Sequence, residues 1–88
     1  MTERMIFSGH VQGVGFRYTV RSLARRHPVA GYVRNLPDGS VELVVRGKLP
    51  DIDALLADVQ ERFRNNTHQC ERTAVAAPES LNGFEIRV

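Results

Sequence analysis

Between an apolar run, Met5-Ile6-Phe7, and a helical pattern starting near Phe16, the chain reads Gly9-His10-Val11-Gln12-Gly13-Val14-Gly15-Phe16-Arg17. Glycine adopts positive φ without steric penalty and lets backbone N–H groups converge where a side chain would obstruct them. A loop of this kind, entering a helix N-terminus, gathers unpaired donors at the positive end of the helix dipole. Arg17 stands at its mouth with a guanidinium that can grip two oxygens of a tetrahedral anion. Together these residue types can cradle a phosphate. The same spacing also permits a plainer arrangement, a tight strand-to-helix turn with Arg17 as a solvated first-turn residue. Two other glycine-rich devices do not fit. A P-loop needs a Gly-Lys-Ser/Thr sequence, and Lys48 is the one lysine of the chain. A dinucleotide fingerprint needs a third glycine where Tyr18 stands.

Asn35 is the second candidate. It closes an apolar strand pattern at the edge of a turn, where asparagine is also common simply as a turn former. Its amide takes no proton at neutral pH, yet its oxygen and NH2 can hold a water in a fixed direction. Arg17 with Asn35 would make an anion site with a positioned water and no acid–base dyad. Such a site suits a reaction with a good leaving group. A carboxylate leaving from phosphorus is one, since carboxylic acids have a pKa of ~4 and depart without a proton. Charge neutralisation and orientation are then sufficient. His10, His27 and His68 fall in three separate elements and share no ligand spacing, so neither a metal site nor a cofactor is expected. Cys70 has no cysteine partner and no nominated base, which argues against a thiol nucleophile.

The elements that must position these residues come from a chain of 88 residues, the size of one domain spanning 1–88. A chain this short buries roughly 60–65% of its unfolded surface, enough for a thin two-layer core. No apolar run approaches the ~18 residues of a membrane span, and the first residues do not resemble a signal peptide. The lone cysteine is compatible with a reducing cytoplasm. Net charge is +2, with Arg17, Arg21, Arg25 and Arg26 in the first helical pattern and Asp51, Asp53, Asp58 and Glu61 in the second. That asymmetry is either a solvated face or a local field attracting a small anion. The acidic second helix speaks against a nucleic-acid surface.

Alternation predicts a strand over 4–11, with Met5 and Phe7 on one face. Val20, Leu23, Ala24 and His27 recur at helical spacing and predict a helix over 17–27, stopped by Pro28. Strands over 30–35 and 40–47 flank the turn Leu36-Pro37-Asp38-Gly39-Ser40 and should form a hairpin. A second helix opens at Pro50 and carries the stripe Ile52, Leu55, Leu56, Val59 and Phe63. Residues 65–69 read as loop, 70–77 as a fourth strand, Pro78 as a turn and 83–88 as a final strand. The order βαββαβ with a short closing strand predicts an α+β ferredoxin-like sandwich: an antiparallel sheet with two helices on one face. Val20, Leu23, Val41, Leu43, Leu55, Leu56, Val59 and Phe84 are its expected core.

Gly9-x-Val11-Gln12-Gly13-Val14-x-Phe16-Arg17, followed by Gly31-Tyr32-Val33-Arg34-Asn35-x-x-Asp38-Gly39-x-Val41-Glu42, resembles the two signature stretches of the acylphosphatase family. The resemblance covers nearly the whole chain, including the closing Gly83-Phe84-x-Ile86. It implies metal-independent hydrolysis of the carboxyl–phosphate bond of small acyl phosphates, with no covalent intermediate and no cofactor. On that analogy Arg17 and the N–H groups of residues 13–17 bind the phosphoryl oxygens, and Asn35 orients the attacking water. Inorganic phosphate or sulfate would then act as a competitive ligand on a cytoplasmic monomer. The connections Arg26-His27-Pro28-Val29-Ala30 and Asn65-Asn66-Thr67-His68-Gln69 depart from the family's usual ones, outside the motifs. His10 occupies a variable motif position and receives no role. Similar domains also occur inside larger maturation enzymes, with carbamoyl phosphate as ligand. The absence of zinc-finger cysteines before the end at Val88 favours a free-standing enzyme. An RNA-binding domain of the same topology would display aromatics on its central strands, and residues 40–47 contain none.

Overall fold

A computed structural model describes residues 1–76 and 81–87. In chain order it contains β1 (Thr2–Gly9), α1 (Phe16–Ala24), β2 (Ala30–Asn35), β3 (Val41–Arg46), α2 (Leu49–Arg62), β4 (Thr67–Ala74) and β5 (Phe84–Arg87). The strands form one sheet in the order β4-β1-β3-β2-β5. The first four pair antiparallel, while β5 joins the edge of β2 in parallel, so the closing strand makes the sheet mixed.

Strand alternation decides which face the helices cover. The register stacks Phe7 against Val41, and Met5 against Leu43, which in turn faces Val33. These side chains are fully buried and share one core with Val20 and Ala24 of α1 and Ile52, Leu55, Leu56 and Val59 of α2. Both helices therefore lie on the same face, as the apolar stripes required. Leu23 is only partly buried against this core, and α1 ends at Ala24, sooner than its apolar spacing implied. From Arg26 onward the N–H groups reach back three residues instead of four, to Leu23 and Ala24. The helix tightens before Pro28, whose ring disfavours the α conformation of His27.

The opposite face holds a smaller cluster of Tyr32, Val44 and Leu81. Beside it Glu42, 3% exposed, lies between Arg4 (2.5 Å) and Arg34 (2.6 Å). Burial pushes the Glu42 carboxyl up, but hydrogen bonds and charge from the two arginines hold it below its ordinary value.

The fourth strand starts at Thr67 rather than Cys70 and ends at Ala74. As an edge strand it is mostly exposed, so Thr67, His68 and Gln69 show none of the apolar alternation that marks a half-buried strand. Its place is fixed by backbone pairing with β1, Ser8 to Gln69 and Gly9 to Thr67, across a register shift. The expected turn at Pro78 lies outside the described residues.

Candidate active site

The loop between β1 and α1 is anchored at both ends. At its start the His10 N–H donates to the Asn66 carbonyl at 2.8 Å. At its end the Phe16 ring is buried between Phe7, 5.2 Å away between centroids, and Phe63 at 4.5 Å. Removing a ring so placed costs about 3–5 kcal/mol, so the position of the helix start is strongly set. Between the anchors the backbone passes through Gly13 at φ 77° and Gly15 at φ 78°. A Cβ on either glycine would meet nothing within 4 Å. The requirement is thus conformational, since a left-handed residue other than glycine costs about 1–2 kcal/mol.

Gly15 is the N-cap of α1, and no side chain caps this helix or places an acid in its first turn. The first intrahelical bond runs from the Thr19 N–H to the Gly15 carbonyl at 3.0 Å. The N–H groups of residues 13–18 make no hydrogen bond to any described residue. Open donors at the positive end of a helix are of the kind that bind anions. Phe16 can offer only its backbone here, because its side chain is 2% exposed.

Arg17 is half-buried, and among the described residues no carboxylate lies within ion-pairing distance of it. Asn35 arrives from the end of β2, paired with Val41 across the hairpin. The turn that follows is held by the Leu36 N–H on the Ser40 carbonyl at 2.9 Å. Within it Asp38 accepts from the Ser40 N–H at 3.0 Å and from the Ser40 hydroxyl. Those bonds, the hydroxyl first, draw the Asp38 carboxyl below its ordinary value.

Val11, Gly13, Gly15, Phe16, Arg17, Tyr18 and Asn35 line one cleft of about 190 Å³. Five sequence candidates, Gly13, Gly15, Phe16, Arg17 and Asn35, thus share one set of walls. Val14 does not line the cleft and is exposed between the two glycines. Its N–H remains in the loop of open donors. Among the described residues no carboxylate, imidazole or thiol lines the cleft. Among the described residues no group of three or more His, Cys, Asp or Glu is placed to hold a metal ion, and no helix is long and apolar enough to cross a membrane.

Cys70 lies apart, opposite Phe7 on the edge strand, in a pocket with Gln60, Arg64, Thr67, His68 and Gln69. Burial pushes its thiol up, with Arg72 offsetting part of the shift, so it is the opposite of an activated nucleophile.

Two residues of the site carried no assignment from sequence. Gln12 donates from Nε2 to the Leu36 and Ser40 carbonyls, both at 2.9 Å. It thereby ties the donor loop to the turn that carries Asn35. An amide among glycines and valines was the available signal, but its partners lie more than twenty residues away. Tyr18, 62% exposed, forms one wall of the cleft.

The acylphosphatase family model matches residues 3–86 of this chain. An acylphosphatase of Bacillus velezensis is 58% identical over 82 residues, 91% of this chain and 87% of that protein. Among solved structures, acylphosphatase from Bacillus subtilis superposes with a TM-score of 0.86 at 30% identity, covering 99% of this chain and 98% of that one. HypF from T. kodakarensis superposes with a TM-score of 0.87 at 30% identity, over 100% of this chain and 12% of the other.

Proposed function

The chain belongs to the acylphosphatase family, and we propose that its cleft hydrolyses the carboxyl–phosphate bond of small acyl phosphates without a metal ion. The N–H groups of Gly13, Val14, Gly15, Phe16 and Arg17, with the Arg17 guanidinium, hold the phosphoryl oxygens and neutralise their charge. Asn35 orients the attacking water. The water oxygen bonds to phosphorus, the bond from phosphorus to the acyl oxygen breaks, and the products are a carboxylate and inorganic phosphate. The leaving carboxylate needs no proton, and the water's proton goes to solvent or to the product phosphate. Positioning and electrostatic stabilisation supply the catalysis, as in other phosphoryl transfers.

One observation carries the reading. Among the described residues, open N–H donors, an arginine without a carboxylate partner and an asparagine amide share a cleft that no acid, imidazole or thiol lines. This is a donor set for an anion, with a water-holding group and nothing to form a covalent intermediate. The enzyme is read as one monomeric domain working in the cytoplasm, where Cys70 stays a thiol and no nucleic acid takes part.

The test is phosphate release from benzoyl phosphate by the purified chain, with and without a chelator. Turnover should persist after exhaustive chelation, and inorganic phosphate or sulfate should inhibit competitively. Turnover that disappears on chelation and returns with a divalent ion overturns the metal-independent reading. Non-competitive inhibition by phosphate removes the anion cradle.

A further inference from the structure

Tyr18 belongs to two concavities. One face of its position lines the cleft, and the other joins Thr19, Ser22, Leu23, Arg26 and Arg62 around an adjoining groove of about 340 Å³. The groove runs along α1 and meets the end of α2. We propose that it seats the acyl group of the substrate and selects acyl phosphates whose acyl part carries a distal carboxylate. The proposal rests on the hydrolysis proposed above and adds the substrate class.

Three features of the groove favour this class. First, its walls change character along their length. Tyr18, shared with the cleft, marks one end, and α1 carries Thr19, Ser22 and Leu23 along the wall toward Arg26, with Arg62 lining the groove from α2. That sequence suits an apolar body with an anionic tail.

Second, neither arginine is neutralised. Among the described residues no carboxylate ion-pairs with Arg26 or Arg62, and Arg62 only overlies the Phe63 ring at 5.7 Å. The acids nearest in sequence on α2 are engaged elsewhere, Asp58 with His27 at 2.8 Å and Glu61 with Arg64 at 3.8 Å.

Third, the reach is right. Thr19 lies on α1 and Arg26 two residues past its end at Ala24, about 11 Å on at 1.5 Å per helical residue and about 2 Å per residue of the tightened turn, a span that an aromatic or short aliphatic acyl chain and a flexible arginine bridge together. The Arg21 guanidinium, 5.4 Å from the centroid of the Tyr18 ring, holds that shared wall in place.

The experiment compares 4-carboxybenzoyl phosphate with 4-carbamoylbenzoyl phosphate. These substrates are isosteric, rigid and different only in the charge of the distal group. At low ionic strength kcat/KM should favour the carboxylate about fivefold, the scale of two solvent-exposed charge pairs, and added salt should erase the difference. In the double variant Arg26→Gln, Arg62→Gln the ratio should fall to about one. Arg64→Gln, a cation outside the groove, should leave it unchanged. A ratio of one in the unaltered protein overturns the proposal, as does an equal fall in Arg64→Gln, which would mean only the field of the whole surface. All three positions are exposed, and thermal unfolding verifies that the variants are folded. If both substrates turn over at equal rates, the groove assignment alone fails. If neither turns over, the hydrolytic reading fails and takes this one with it.

Discussion

The two helices begin in opposite ways. α2 starts from Lys48, an extended residue at φ −74° and ψ 145°, with Pro50 in the first turn and Asp51 beside it. Proline brings no N–H to satisfy, Asp51 complements the positive end of the dipole, and the Asp51 and Ile52 N–H groups both reach the Lys48 carbonyl at 3.0 Å. α1, like α2 without a side-chain cap, starts from a left-handed glycine and has no acid in its first turn, and residues that carry its open donors line a cleft. One terminus is finished by its own sequence, and the other is left for something else to finish. A chain can leave donors open only where the surrounding anchors, here the buried Phe16 and the Gln12 tether, hold the loop without them.

The largest break in this contrast should come from Arg17. Arg17→Ala removes one or two charge-assisted bonds worth about 1.5–3 kcal/mol each. We expect kcat/KM to fall about 10²–10⁴-fold with little change in Tm. Arg17→Lys should recover little, because an ammonium lacks the two-pronged geometry. If lysine restores most of the activity, Arg17 supplies charge alone.

Asn35→Ala comes next. Loss of one preorganised group at a reacting centre typically costs about 10²–10³-fold in kcat. The competitive inhibition constant of phosphate should barely move, since the proposed donors belong to the β1–α1 loop and Asn35 to the end of β2. A variant that unfolds early yet keeps its turnover per folded molecule would return Asn35 to the role of turn former.

Much of this was legible in the sequence because it is local. The glycines at 13 and 15, the arginine after them and the asparagine at the end of a strand each announce themselves within a few residues. Helical and strand periodicities placed them on the correct elements. What escaped depends on pairing across the fold. Gln12 acquires its meaning from carbonyls brought close by the hairpin. Thr67, His68 and Gln69 are strand residues by virtue of β1 lying beside them, while their side chains look like those of a loop. Arg72, which reads as an ordinary exposed charge, reaches both Glu3, at 2.7 Å, and Asp53 on α2. No local pattern carries that information.

A smaller effect tests whether the open terminus is itself the functional device. Tyr18→Glu places in the first turn of α1 the kind of residue that α2 already has. The dipole should stabilise the fold by about 0.3–1 kcal/mol, while the new charge beside the cleft should weaken binding of an anionic substrate by roughly tenfold. Tyr18→Gln is the neutral control that removes the ring without adding charge. Higher Tm with a loss of kcat/KM beyond that of the glutamine variant is the expected signature. Glutamate that stabilises and leaves turnover intact would show that the substrate does not use this end of the helix.

The smallest effect is the mirror change, Asp51→Ala on α2. It removes a dipole partner at a terminus whose Asp51 and Ile52 N–H groups already reach the Lys48 carbonyl, so stability should fall by about 0.3–1 kcal/mol. In a domain of this size 1 kcal/mol corresponds to about 4–8 °C in Tm, and the drop should be within reach of calorimetry. Asp51 does not line the cleft, so kcat/KM should stay within about twofold, the scatter of a surface substitution. The pair of variants then separates the two termini by the sign of their response. Acid at α1 raises Tm and costs turnover, whereas loss of acid at α2 lowers Tm and leaves turnover alone. A loss of turnover in Asp51→Ala at temperatures well below its Tm would mean that the two helix ends are not independent. The finished terminus would then have to be counted as part of the machinery.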